Sequence, residues 1–173
     1  MEENVINLAK KGNEDAFENI VEEYKTEMYS IATVRLKNMA DVEDAIQETL
    51  FDIYKSLWYL KRVAGFKSWI IKILINNCND IIRQKKESVL SFEDSVVNTL
   101  PDKENEYLKL EGEQNFFEII NFLNEEEKTI MTMRYSQDFS INEMSKILNI
   151  REGTLRMRIS RIKEKIRNRY EDK

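Results

Sequence analysis

Histidine is absent from this 173-residue chain, and cysteine occurs once, at Cys78. Without imidazole and with a single thiol, the usual Cys/His zinc sites and the Ser-His and Cys-His nucleophile pairs cannot be assembled, and no internal disulfide can form. Glycine and proline are nearly as scarce, at 4 and 1 residues. That leaves little turn chemistry for a many-stranded sheet and no Gly-rich phosphate loop. Long apolar runs are missing too: the densest, Trp69 to Ile75, is interrupted by Lys72 and falls far short of the roughly 20 residues that cross a bilayer. Met1-Glu2-Glu3 opens the chain without a basic stretch and an apolar core, so no secretory signal is expected. Together these absences predict an all-α, soluble, cytoplasmic protein without a membrane span or a metal site of the usual Cys/His kind, and the missing histidines fit a protein whose work is binding.

Charge is plentiful, with 27 Lys and Arg against 32 Asp and Glu and a net charge of -5. Its distribution is uneven. Residues 1–86 hold 13 basic and 14 acidic side chains, residues 87–115 hold 2 and 8, and residues 116–173 hold 12 and 10. The acidic middle also contains Pro101 and the turn formers Ser91, Asp94, Ser95, Asn98 and Asp102, with no sustained apolar period. A connection of this length is unusual inside one compact domain. It predicts two small helical domains, 1–86 and 116–173, joined by a linker over 87–115, of which residues 105–115 could already be helical.

In the first domain, Phe17, Ile20, Val21, Tyr24, Met28 and Ile31 follow the i, i+3, i+4, i+7 spacing of an amphipathic helix. Val42, Ala45, Ile46, Ile53 and Leu57 set a second, for which Asp41 is the expected N-cap. A third is expected from Phe66 to Lys86. At 100° per residue Ile70, Ile71, Leu74, Ile75, Cys78, Ile81 and Ile82 share its apolar face, which makes Cys78 a core residue. Lys72, Asn76, Asp80 and Arg83 lie opposite, with Trp69 among them. The aromatics Phe51, Tyr54, Trp58, Tyr59 and Phe66 are expected mostly in the core. Trp69 is the exception, since with Asn76 and Arg83 it forms a ridge of ring, amide and guanidinium suited to unstacked bases.

The second domain is more sharply punctuated. Asn124 with Glu127 and Ser140 with Glu143 read as capping boxes, the first opening a helix to about Tyr135 and the second one ending near Asn149. A helix over Glu152 to Tyr170 follows after a short turn, which is the helix-turn-helix pattern. Leu155, Ile159, Ile162 and Ile166 form its packing stripe, opposite Arg156, Met157, Ser160, Arg161, Lys165 and Arg167. From Arg151 to Tyr170 there are 8 basic residues and 2 acidic ones. Phosphate neutralisation and guanidinium forks onto guanine account for such a bias in a chain of opposite net charge. Met157, on the polar side, could touch a thymine methyl. Asp44, Gln47 and Glu48, at i, i+3 and i+4, share a helix face; a solvated surface, a protein-docking surface and, more weakly, a metal site all fit that spacing.

Three stretches of the first domain, Asn13-Glu-Asp-Ala-Phe17, Asp41-Val-Glu-Asp-Ala-Ile-Gln-Glu-Thr-Leu50 and Phe66-Lys-Ser-Trp-Ile-Ile-Lys-Ile-Leu-Ile-Asn76, resemble region two of bacterial sigma factors of the extracytoplasmic-function group. Ser140-Ile-Asn-Glu-Met-Ser-Lys-Ile-Leu-Asn149 and Glu152-Gly-Thr-Leu-Arg-Met-Arg-Ile-Ser-Arg161 resemble their region four. The resemblance implies a protein that binds core RNA polymerase through Asp44, Gln47 and Glu48, against the clamp helices of the largest subunit. It implies capture of a base from the minus-ten non-template strand at Asn76, with the loop Lys61 to Gly65, and places Lys61, Arg62, Trp69, Lys72 and Arg83 at that DNA. The minus-thirty-five duplex would be read by Arg156, Met157, Ser160 and Arg161, with Arg151, Thr154, Arg158 and Lys165 beside it, Thr154 and Arg158 at phosphates. An anti-sigma factor is a further family expectation, and it could hold the protein at the membrane. The acidic linker would thread through the polymerase. Two positions depart from the pattern: Arg151 stands where a small hydroxyl residue is usual, and Asn124 where proline is. A free-standing helix-turn-helix regulator is the alternative.

Overall fold

A computed structural model describes residues 3–36, 38–91 and 111–171. Among them every regular element is helical, and the chain divides into two compact units, Met1–Lys103 and Glu104–Lys173.

The first unit begins with a helix the apolar spacing did not announce, α1 (Glu3–Lys10), which buries Ile6 and Ala9. Gly12, at φ 85, turns the chain in a conformation that side chains with a Cβ resist, and Asn13 caps α2 (Glu14–Arg35) by accepting from Ala16 N at 2.8 Å. Helix α3 (Met39–Ser56) is capped by Asn38, not by the expected Asp41. Asn38 lies in extended backbone and its Oδ1 accepts from Asp41 N at 2.9 Å. Asp41 stands three residues further on, where its carboxylate accepts from Asn38 Nδ2 at 2.7 Å and pairs with Lys85 at 2.5 Å. A carboxylate in a first turn suits the helix dipole without being the cap.

A 3₁₀ turn, Leu57–Tyr59, ends α3. Helix α4 (Phe66–Ser91) runs past the expected end at Lys86. Helices α2, α3 and α4 pack around Ile20, Met28, Ile31, Val42, Ile53, Ile70, Ile71, Leu74 and Cys78, all essentially without exposure. Burial among apolar side chains pushes the Cys78 thiol up to about 12; Ile81 and Ile82, near the outer end of the same face, are half-buried.

In the second unit, α5 (Glu111–Ile120) sends Ile120 into the core. Helices α4 and α5 thus occupy both ends of the stretch expected as linker; residues 92–110, with Pro101, lie outside the described residues. Helix α6 (Glu125–Met131) opens on the Asn124–Glu127 capping box. It gives way to a π-helical segment, Thr132–Ser136, closed by Gln137 N donating to Thr132 O at 3.0 Å. The expected α-helix to Tyr135 is therefore interrupted. Helix α7 (Ile141–Leu148) opens on the Ser140–Glu143 box and ends at left-handed Asn149, φ 54, a residue that tolerates this region. Helix α8 (Glu152–Glu171) follows the turn. Met133, Phe139, Met144, Ile147, Leu155, Ile159 and Ile162 close the core of this unit.

Candidate functional site

In the second unit the α7–turn–α8 pair determines what α8 presents. Leu155, Ile159 and Ile162 are buried, with Ile166 half-buried at the end of the stripe. That fixes the rotation of the helix, so Arg156, Met157, Arg158, Ser160, Arg161, Lys165 and Arg167 are all exposed, as is Arg151 in the turn; Thr154 is half-buried. Met157, an apolar side chain 57% exposed, has no packing role there. The basic side chains divide by what they touch. Arg158 pairs with Glu126 at 3.5 Å and Lys165 with Glu127, both carboxylates of the first turn of α6. Arg156 pairs with Glu152 at 3.3 Å along its own helix. Among the described residues no carboxylate pairs with Arg151 or Arg161, which stand ready for an outside anion. Glu152 also accepts from Asn142 Nδ2 at 2.8 Å, tying the start of α8 to α7. The Asn142 bond, then Arg156, holds its carboxyl below the usual carboxylate range.

In the first unit Asp44, Gln47 and Glu48 form one exposed ridge along α3. Among the described residues no group of three acidic, His or Cys side chains could hold a metal ion. Phe51 continues the ridge one turn on at 50% exposure, with the Lys55 ammonium 3.6 Å over its ring. The aromatic cluster corrects the sequence reading. Phe51, Tyr54, Trp58 and Tyr59 are exposed, Tyr59 by 82%, because Val42, Ala45, Ile46, Thr49, Ile53 and Leu57 already fill the buried side of α3 and its terminal turn. Phe66 alone of those five is core, stacked on Trp69 with centroids 5.6 Å apart.

Trp69 and Asn76, two turns apart on α4, line a shallow hollow of about 540 Å³. Its opposite wall comes from α3 and the 3₁₀ turn: Asp52, Lys55 and the Tyr59 ring. Asn77, at its floor, donates to Asp52 at 3.1 Å and to Thr49 Oγ1 at 3.2 Å, holding the two helices in register. Rings, an amide and a charged rim are the kinds of group that hold an unstacked base by stacking and hydrogen bonding. Lys61, Arg62, Lys72 and Arg83 are exposed but none of them lines the hollow, and Arg83 pairs with Asp80 at 2.9 Å. Tyr59 escaped the sequence reading because it was expected in the core.

Comparison with known proteins agrees with this layout. Residues 20–88 match the family model for Sigma-70 region 2, and residues 113–166 that for Sigma-70, region 4. The ECF RNA polymerase sigma factor SigW of Bacillus subtilis is 29% identical, over 96% of this chain and 95% of its own length. The ECF RNA polymerase sigma-E factor of Haemophilus influenzae is 27% identical over 96% of this chain and 94% of its own. Among solved structures, CnrH in complex with the cytosolic domain of CnrY superposes with a TM-score of 0.68 at 17% identity, covering 97% of this chain and 96% of that one. The sigma factor RpoE of Bartonella quintana, in complex with the anti-sigma factor NepR, gives 0.68 at 20%, covering 88% and 94%.

Proposed function

Since this chain belongs to the extracytoplasmic-function sigma factors, which direct RNA polymerase to promoters, we propose that its two units divide that work. The second unit reads the minus-thirty-five duplex with the outer face of α8. Arg156, Met157, Ser160 and Arg161 reach base edges, while Arg151, Thr154, Arg158 and Lys165 lie at phosphates. Arg158 and Lys165 must leave their α6 carboxylates to do so, which exposed ion pairs allow at a cost of about 1 kcal/mol or less each. The first unit takes a base extruded from the minus-ten non-template strand into the hollow between Trp69, Asn76 and Tyr59. The loop 61–65 lies beside the strand, and Lys61, Arg62, Lys72 and Arg83 attract its phosphates. Unstacking costs a few kcal/mol, returned by stacking and hydrogen bonding in the hollow. The observation that carries this reading is that one chain holds, on separate units, a rotationally fixed basic recognition helix and an open hollow lined by Trp69, Tyr59 and Asn76. A regulator that only binds operators has no use for the second.

The Asp44, Gln47 and Glu48 ridge is the surface for the clamp helices of core polymerase. No helix among the described residues is long and apolar enough to cross a membrane. As a sigma factor, the chain is read as a cytoplasmic binding protein with no reaction of its own. RpoE of Bartonella quintana, of the same fold, has been solved with the anti-sigma factor NepR, and an anti-sigma factor is the expected regulator here. The polymerase surface is tested by the double variant Asp44→Ala, Gln47→Ala. Both side chains are exposed, so the melting temperature stays within about 2 °C, whereas affinity for core polymerase drops at least tenfold. Unchanged affinity in a folded double variant refutes the assignment.

A further inference from the structure

We propose that Lys10 is a positioning residue for base capture: it fixes the chain where the 3₁₀ turn hands over to the loop 61–65. The proposal rests on the reading of that loop and of the hollow given above. The last carbonyls of a helix have no partner within the helix. Here the chain leaves α3 through Leu57–Tyr59, Leu60 N donates back to Leu57 O at 3.2 Å, and the Leu60 carbonyl points out of the turn. The half-buried Lys10, at the end of α1, donates its Nζ to that carbonyl at 2.6 Å across fifty positions of sequence. Among the described residues no carboxylate pairs with Lys10, so its charge goes to a main-chain oxygen, a bond stronger than one between neutral groups.

A second contact works on the same turn. Gly12 carries a positive φ, and the Trp58 indole lies 3.7 Å from where a Cβ would be. The α1–α2 corner therefore packs against the 3₁₀ turn at Trp58, the residue before Tyr59, which lines the hollow. At its other end the loop is already closed, with Phe66 N donating to Val63 O at 3.0 Å, Trp69 N to Gly65 O at 3.0 Å, and Gly65 at φ 85. Lys10 supplies the missing upstream anchor. With both ends fixed, Tyr59 and the loop meet the strand in one arrangement, and the ordering cost is met before DNA arrives.

The test uses the full chain assembled on core polymerase and a single-stranded non-template oligonucleotide chosen by that wild-type holoenzyme from a randomised pool. Lys10→Met is expected to keep polymerase affinity but to lose about three- to tenfold in oligonucleotide binding and to flatten the preference at the captured base. Lys10→Arg restores both, and Lys10→Gln, too short to reach Leu60, behaves like Lys10→Met and covers a folding failure of that variant. In the free chain, backbone amide shifts of residues 61–65 move in Lys10→Met and return in Lys10→Arg. Asn76→Ala is the benchmark. If it loses binding while Lys10→Met and Lys10→Gln bind and discriminate like wild type, the positioning role is overturned and the hollow stands. If Asn76→Ala also binds like wild type, the base-capture reading falls and takes the proposal with it.

Discussion

If Arg161 reads a base and Arg158 holds a phosphate, as proposed, alanine at the two positions should fail differently. Arg161 is exposed on α8 with no carboxylate partner among the described residues, and its loss should change folding stability by no more than about 0.5 kcal/mol. A guanidinium forked onto a guanine is worth about 1–3 kcal/mol of discrimination. At about 1.4 kcal/mol per decade this is roughly a 5- to 150-fold loss of preference at one base pair. Arg158 stands 43% exposed beside Glu126 at 3.5 Å, a pair worth at most about 1 kcal/mol. Its removal should lower binding evenly across sequences and reduce the slope of log affinity against log salt by about 1. The assay is holoenzyme binding to a library of upstream-element variants at several salt concentrations. Equal losses on every sequence for both variants, or an unchanged preference in Arg161→Ala, would refute the division of labour along α8.

Two further predictions concern stability. Ser140 Oγ accepts from Glu143 N at 3.2 Å while Glu143 accepts from Ser140 N at 2.9 Å, so Ser140→Ala should cost about 1 kcal/mol, read as the denaturation midpoint of the second unit; a shift below about 0.3 kcal/mol contradicts it. The Cys78 thiol titrates at about 12 in the folded protein against 9.0 ordinarily. Above about pH 9 the unfolded chain therefore releases a proton that the native one keeps. Stability fully present below that pH is lost as pH rises toward 12, at up to about 1.4 kcal/mol per unit. Urea unfolding between pH 8 and pH 10.5 should show a shallower decline in Cys78→Ala than in wild type, and equal slopes would sink the idea.

Some of this molecule was legible in its sequence and some was not, for physical reasons. The capping boxes at Asn124 and Ser140 were readable because reciprocal bonds between residues three apart are local. So was the packing stripe of α8, because Leu155, Ile159 and Ile162 repeat at the helical period. Helix α1 spans only eight residues and buries just Ile6 and Ala9, too few apolar positions for its period to stand out. Asn38 and Asp41 are both good capping residues three positions apart, and only the backbone conformation at Asn38 decides between them. The exposed aromatics were misread because composition says that large rings fill small cores, whereas the interior of the first unit is filled mostly by aliphatic side chains, with Tyr24 and Phe66 the buried rings. The hollow depends on α3 and α4 lying side by side with Asn77 bridging to Asp52 and Thr49, a juxtaposition no spacing rule contains.

The most direct measurement of the central claim is reconstituted transcription. Core polymerase, the purified full chain and a library of promoter fragments differing in their minus-thirty-five and minus-ten elements are combined, and the transcripts are sequenced. Initiation is expected to need this chain, to start at fixed distances from a shared pair of elements, to shift its upstream preference with Arg161→Ala and to lose its downstream preference with Asn76→Ala. Initiation no different from core polymerase alone, or selection of the upstream element without open-complex formation, would contradict it.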